Sequence, residues 1–423
     1  MEVIINPGFI SGTVTPPASK SMMQRVCAAA LLHKGTTTIY NAGTSDDDET
    51  ALQVIQQLGA TIVRSYDSIT VSSKGVHPVN NTIDCGESGL SARMFIPIAA
   101  LHYEWIQILG SGSLLLRPMQ VFKDILPQLD VDLEDFRGYI PFRVRGPLQA
   151  NKVTIDGSVS SQFLTGILFA FTAAARKAIT IKVEDLNSKP YTDLTLEVLD
   201  LFGKPITNED YETFQIDPTV FHSRKAIVTT IEEDWSSAAF WLVAGAISGK
   251  VCVKGPKADS LQADKQILNI LLQAGASILF ANNEIHIKRS ILNSFYFDAT
   301  DCPDLFPILS VLAIFCNGTS SIKGLNRLHH KESNREKSIT EMLTQFGVSY
   351  RTDNDRLYVT GTDSVKQARI DGHNDHRIIM AAAVASLRAT GAVTISDAES
   401  VSKSYPDFFK HLNSLGIQSN INN

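Results

Sequence analysis

Basic side chains recur in this chain at places where a helix would be expected to begin. The stretch SKSMMQR puts Lys20 and Ser21 at the head of a run of small and apolar residues, with Arg25 one turn further in. A helix N-terminus carries roughly half a positive charge, so a lysine there is unfavourable unless something negative lies beside it. The same conjunction is read at Arg117-Pro118, at Lys331-Glu332 with Arg335, at Asp375-His376-Arg377 and at Lys403-Ser404-Tyr405-Pro406. Helix N-termini with free N–H groups plus Lys or Arg make anion sites, so the pattern points to phosphate or carboxylate ligands. Ser19, Ser160, Asp46 and Asp304 are also explained as N-caps, which favour Ser and Asp.

Two clusters could hold metal. The acidic run Asp46-Asp47-Asp48-Glu49 is favourable in a first turn without any ion. GHNDHR, residues 372–377, and His329-His330 hint at zinc but lack a third ligand at a fixed spacing, and no metal is expected. GAISGK, residues 245–250, is one spacer short of a phosphate-binding loop and is followed by Val251, where Ser or Thr should bind magnesium.

The elements that position these residues repeat. Helices ending in Leu-Gly, Phe-Gly or Ala-Gly recur with glycines at 59, 203, 275, 347 and 416: 275−203 and 347−275 are both 72, 203−59 is twice 72, and 416−347 is 69. The slot near 131 holds PQLDVDL without its glycine, so six copies are implied. The copies read as a small-residue helix, a β-branched strand, an amphipathic helix closed by glycine and, in most of them, a hairpin: α-β-α-β-β. The same spacing falls on Pro118, Pro190 and Pro406, marking second-helix starts. First helices are expected from Lys20, Gly89, Ser160-Ser161-Gln162, Asp234, Pro303-Asp304 and Asp375; second helices from Asp46, Arg117, Lys189, Gln262, Lys331 and Lys403. In a repeat architecture these starts lie on equivalent edges and can converge on one surface.

The 423 residues suggest two or three domains, and 44% apolar with 19% charged content describes a soluble globular protein. A net charge of −6 without a basic block disfavours nucleic acid as a partner. Cys27, Cys85, Cys252, Cys302 and Cys316 form no CxxC pair and no zinc spacing; they read as buried thiols of a reducing cytoplasm. MEVIINPG does not read as a signal peptide, and apolar runs such as 238–247 are too short for a bilayer, so neither export nor a membrane is expected.

Nine stretches in order, SKSMMQR (19–25), GESGLSAR (86–93), LRPM (116–119), SSQ (160–162), SKPYTD (188–193), PD (303–304), KESNR (331–335), NDHR (374–377) and KSYPDFF (403–409), resemble the enolpyruvyl transferase family, in its branch acting on shikimate 3-phosphate. The resemblance implies an α/β fold: a two-domain inside-out α/β barrel of six βαβαββ units, three per domain. Domain 1 would be discontinuous, 1–15 and 229–423, on the phosphoenolpyruvate side; domain 2 would be 16–228, on the shikimate 3-phosphate side. The active site would lie in the interdomain cleft, completed by closure. The implied reaction joins shikimate 3-phosphate and phosphoenolpyruvate, releases phosphate, and uses no metal or cofactor; a cytoplasmic monomer is expected.

By the same resemblance Ser21, Arg25, Ser160, Ser161, Gln162, Ser188 and Tyr191 surround shikimate 3-phosphate. Lys20, Gly89, Arg117, Gln162, Arg335, Arg377 and Lys403 surround phosphoenolpyruvate. Asp304 matches the carboxylate that handles the 5-hydroxyl proton and Glu332 the one that exchanges protons with the methylene carbon, while Lys20 and Lys331 stabilise charge. Glu87, Leu90, the Ser-Asn of KESNR and Arg327 depart from the commoner family residues. The sister branch using UDP-N-acetylglucosamine usually has a cysteine where Gly112 stands, and lacks the SSQ and KPYTD pair. A non-catalytic scaffold would be expected to have lost Lys20, Asp304, Glu332 or Lys403. An RNA 3′-phosphate cyclase would need a catalytic histidine near the C-terminus, for which His376 is the one candidate and is already part of NDHR.

Overall fold

The computed structural model describes residues 1–329 and 331–422. The chain divides into two compact units, one formed by Met1–Pro17 with Glu232–Asn423 and the other by Ala18–Ile231. Each is built from four-stranded sheets of one design, in which a parallel pair is followed by two antiparallel strands. In the Ala18–Ile231 unit, for example, Thr82–Asp84 runs parallel to Ile106–Leu109, which pairs antiparallel with Tyr139–Arg145 and that in turn with Asp132–Phe136. A parallel pair needs a crossover, and the helix Gly89–Ala99 supplies it.

Three sheets are completed by strands from distant sequence. Ala226–Thr230, at the end of its unit, lies parallel to Gly35–Tyr40 near the start. Ile10–Val14 lies parallel to Gly249–Lys254, and Glu2–Ile5 sits between Val393–Ile395 and Ser419–Asn422. The strand that opens a unit was invisible to periodicity because it is short: Thr82–Asp84 and Tyr296–Asp298 have 3 residues, Arg369–Ile370 only 2. An alternation needs at least about four residues to be read.

Within each unit the first helices are interior and the sheets face outward. Gly89–Ala99, Trp235–Ser248 and His376–Ser386 are buried at every position, whereas Tyr139–Arg145 alternates exposed and buried. Gly166 permits a close helix approach: a Cβ there would meet the Arg93 carbonyl oxygen at 2.4 Å. The repeating glycines 59, 203, 275, 347 and 416 all have left-handed backbones, φ between +71° and +106°. The sixth slot is filled by Asp130, also left-handed at φ +58°. Asp is among the few non-glycine residues that take this conformation readily, which is why the repeat survives there without its glycine.

The expected first-helix starts are close to those found, as with Lys20–Leu32, Ser161–Ala174 and His376–Ser386. Three second-helix starts differ. Arg117 follows the 3-10 turn Gly112–Leu116, and the α-helix begins only at Val121. Lys331 and Glu332 precede Asn334, whose side chain caps Arg335–Gln345. Lys403 ends the 3-10 turn Ala398–Lys403, before the helix Phe408–Ser414. Pro118 keeps Arg117 out of α conformation, at φ −91° and ψ 128°, and all three cations sit on turns or loops and do not oppose the dipole of the helix that follows. Among the described residues no helix is long and apolar enough to cross a membrane.

The acidic run 46–49 is engaged locally. Asp47 pairs with Lys20 at 2.8 Å, Glu49 pairs with Arg64 at 2.5 Å, and Asp48 forms a capping box with Ser45. Burial pushes the Asp48 carboxyl up to about 7, against the hydrogen bonds from Ser45. Raised above its unfolded value of about 3.9, this group contributes stability that is full below that value and lost as pH rises through its folded value. Asp48→Asn should therefore stabilise the protein above pH ~7 by up to ~4 kcal/mol and change it little near pH ~4. Urea unfolding at the two pH values checks this; an equal difference at both would refute the buried charge.

Candidate active site

In the unit that holds Glu232–Asn423, five expected site residues, Asp304, Lys331, Glu332, Arg335 and Arg377, join in one ion-pair network. Asp304 lies in the 3-10 turn Pro303–Leu305, which leads into the helix Phe306–Ile314. Its Oδ1 accepts from Lys331 Nζ at 3.2 Å and from Arg335 at 2.8 Å, and its Oδ2 accepts from Arg377 at 3.1 Å. Arg335 also donates to Glu332 Oε2 at 2.5 Å. Beneath them Asp375 accepts from Arg335 at 2.8 and 3.2 Å and from the Ser333 hydroxyl at 3.0 Å. Arg335 and Asp375 are fully buried, while Asp304, Glu332 and Lys331 keep 21%, 19% and 26% of their side chains exposed. The buried Arg335–Asp375 pair thus carries groups that are partly open to solvent.

Three cations, Lys331, Arg335 and Arg377, balance three carboxylates, Asp304, Glu332 and Asp375. Burial alone would raise the Asp304 carboxyl, but Arg377, Lys331 and Arg335 together hold it well below the usual carboxylate range. Burial lowers Lys331, opposed by Asp304. The remaining expected residue, Lys403, donates to the Asn374 carbonyl at 2.8 Å and so sits on the loop that carries Asp375.

In the Ala18–Ile231 unit the expected residues form smaller groups. Lys20 begins its helix with Asp47 against its ammonium. Arg25, fully buried, donates to Thr195 Oγ1 at 2.9 Å and to the carbonyls of Ser21 at 2.7 Å and Tyr191 at 3.1 Å. Burial lowers its pKa to about 10. Three of five guanidinium N–H groups are thereby committed, tying the Ser21 and Tyr191 backbones together. Ser160 caps the helix that Ser161 begins, through a bond from the Gln162 N–H at 3.3 Å. Gln162 Oε1 accepts from Arg93 at 2.8 Å. Ser188 is buried with a left-handed backbone at φ +59°, immediately before the helix Lys189–Leu201.

Gly89 and Arg117 are placed against each other: a Cβ on Gly89 would come within 2.4 Å of an Arg117 terminal nitrogen. Glu87, one of the unusual residues, has a local use, since its Oε2 accepts from the Ser113 N–H at 2.9 Å. It ties the head of one helix to the turn that carries Arg117. Leu90 is buried, and Arg327 lies on the 3-10 turn Leu325–Leu328, near enough to help lower Lys331.

Sequence reading missed Asp375, Asp47 and Arg93 as site residues. Asp375 and Asp47 were visible only as caps and first-turn acids, although Asp375 does both jobs, accepting from the Arg377 N–H at 3.0 Å as well as holding Arg335. Arg93 closes the motif GESGLSAR, one helical turn after Gly89, which was the available signal. Two of the histidines whose grouping hints at zinc are engaged with acids: His329 with Glu336 at 2.6 Å and His373 with Glu341 at 2.9 Å. His330 lies outside the described residues.

Known proteins resemble this chain along nearly its whole length. The family model described as EPSP synthase (3-phosphoshikimate 1-carboxyvinyltransferase) matches residues 5–412. A 3-phosphoshikimate 1-carboxyvinyltransferase of Clostridium kluyveri is 34% identical over 98% of this chain and 97% of its own. One of Clostridium acetobutylicum is 35% identical with the same coverage. The solved EPSP synthase of Acinetobacter baumannii superposes with a TM-score of 0.81 at 25% identity, over 99% of this chain and 100% of that one. Matches of this extent and identity mean that the chain belongs to the EPSP synthase (3-phosphoshikimate 1-carboxyvinyltransferase) family.

Proposed function

We propose that this protein transfers the enolpyruvyl group of phosphoenolpyruvate to the 5-hydroxyl of shikimate 3-phosphate, giving 5-enolpyruvylshikimate 3-phosphate and phosphate. The observation that carries the residue assignment is the Asp304 carboxylate gripped by Lys331, Arg335 and Arg377, with Glu332 on the same arginine. Two substrates bring two phosphates and two carboxylates to one site. One opposite-charge pair at about 4 Å and an effective dielectric of 20 is worth ~4 kcal/mol, so several cations are needed to offset the repulsion.

In the proposed assignment Lys20, Gly89, Arg117, Gln162, Arg335, Arg377 and Lys403 receive phosphoenolpyruvate. Ser21, Arg25, Ser160, Ser161, Gln162, Ser188 and Tyr191 receive shikimate 3-phosphate. The 5-oxygen attacks C2 of phosphoenolpyruvate, its proton passing to Asp304, while the methylene C3 takes a proton from Glu332, which enters the cycle in its protonated form. In the second half Glu332 recovers that proton, the C2–O bond to phosphate breaks, and the proton on Asp304 leaves with the phosphate. As found, Asp304 is a weak base because three cations neutralise it. The anionic groups of phosphoenolpyruvate compete for Arg377 and Lys331, and drawing them off restores basicity to Asp304 only when substrate is present. The protein is proposed to act as a cytoplasmic monomer.

The test is phosphate release from phosphoenolpyruvate, with shikimate 3-phosphate and separately with UDP-N-acetylglucosamine. Release with the shikimate compound alone is expected. Release with the sugar nucleotide would move the chain to the sister branch, and silence with both would mean anion binding without chemistry.

A further inference from the structure

The outward face of one sheet carries three donor groups that the reaction does not use. In the strands Gly249–Lys254 and Glu284–Lys288, Val251, Val253, Ile285 and Ile287 point into the core. Period-two alternation therefore sends Cys252, Lys254, Glu284 and His286 to the other face. Register places Cys252 directly opposite His286, and Lys254 opposite Glu284. Cys252 had read as a buried thiol without a zinc spacing, because its partners lie 32 and 34 residues away and only the hairpin pairing brings them together.

Their donor atoms already stand at three corners of a tetrahedron. Cys252 Sγ is 3.8 Å from Glu284 Oε2 and 3.9 Å from His286 Nε2, and those two atoms are 3.3 Å apart. Zinc bonds of about 2.0–2.3 Å set tetrahedral edges of about 3.3–3.8 Å, so one ion fits among them with shifts of a few tenths of an ångström. Lys254 Nζ holds the other carboxylate oxygen, Oε1, at 2.9 Å, which orients Oε2 toward the thiol and the imidazole. A depression of about 470 Å³ over the same face, lined in part by Thr13, Cys252, Leu279 and His286, leaves room for water as a fourth ligand. Among the described residues this is the one group of three such donors close enough together to share a metal ion.

We propose that Cys252, Glu284 and His286 bind a single divalent ion of borderline softness, zinc above all, which clamps the hairpin Ser277–Lys288 to the strand Gly249–Lys254. A thiolate, an imidazole and a carboxylate together suit zinc or cobalt and are a poor match for magnesium or calcium. Burial and the neighbouring Glu284 raise the Cys252 thiol, so the ion must displace its proton on binding. The clamp is structural and stands apart from the proton transfers assigned to Asp304 and Glu332.

Titrating the full-length, metal-free protein with cobalt(II) tests this. One equivalent should produce a thiolate-to-cobalt charge-transfer absorption with the intense visible bands of a tetrahedral ion, and zinc should abolish both. Cys252→Ser should lose the charge-transfer band while phosphate release stays at the parental rate. His286→Asn, which keeps the thiol, should bind cobalt at least ~10-fold more weakly and serves if the serine variant folds poorly. Absence of the band in the parent chain, its persistence in Cys252→Ser, or undiminished affinity in His286→Asn would overturn the proposal.

Discussion

Glu332→Gln should bind both substrates about as well as the parent chain and turn them over ~10²–10⁴-fold more slowly, the range for removing a general acid–base group. The glutamine is nearly isosteric and keeps an oxygen to accept the Arg335 bond that Glu332 Oε2 accepts at 2.5 Å. The buried base of the site is undisturbed by the change, so melting temperature and substrate affinity should barely move. What is lost is the group proposed to exchange a proton with the methylene carbon. Single-turnover phosphate release together with equilibrium binding of each substrate separates the two effects. Unchanged turnover would remove Glu332 from proton transfer, and a loss confined to binding would make it a positioning residue.

The second large effect is on stability. Arg335→Leu should cost ~3–5 kcal/mol, because deleting one partner of a buried ion pair leaves a charge without compensation. The arginine is wholly buried and serves Asp375, Asp304 and Glu332 at once, and Asp375 is wholly buried with it. Asp304, depressed in the folded state, contributes stability that is present above its unfolded value of about 3.9 and lost as pH falls through its lower folded value. In the variant, acid also neutralises carboxylates left unpaired, so the gap from the parent should narrow towards pH ~4. Arg335→Lys should rescue little, since a single ammonium cannot reproduce a planar fork reaching three carboxylates. Urea unfolding at pH 7.5 and 4.5 checks the prediction; a loss below ~1 kcal/mol at the higher pH would show that the network adds little.

Much of the repeat was legible, for local reasons. A helix cap and a C-terminal glycine are satisfied within about four residues, so Ser19, Ser160 and Gly59 announce their elements without help from the rest of the chain, whereas the cap expected at Asp46 falls one residue earlier, on Ser45. Asp130 shows the limit: the position demands a left-handed backbone, and any residue tolerating it will do. Arg117, Lys331 and Lys403 were misplaced onto helix starts because a neighbouring proline or asparagine decided where the helix could begin.

The sequence by itself determined the roughly 72-residue spacing of the left-handed helix ends and the kinds of charged residue gathered near them. Tertiary structure alone decided which carboxylate each cation meets. Asp304 and Arg377 are 73 residues apart, and Arg335 and Asp375 are 40 apart, so nothing local selects those pairs. The same holds for the strands Glu2–Ile5 and Ala226–Thr230, whose partners are set by open sheet edges elsewhere in the chain. Caps and turns are chosen by backbone groups a few residues away, whereas ion pairs and sheet register are chosen by whichever complementary group the folded chain leaves in reach.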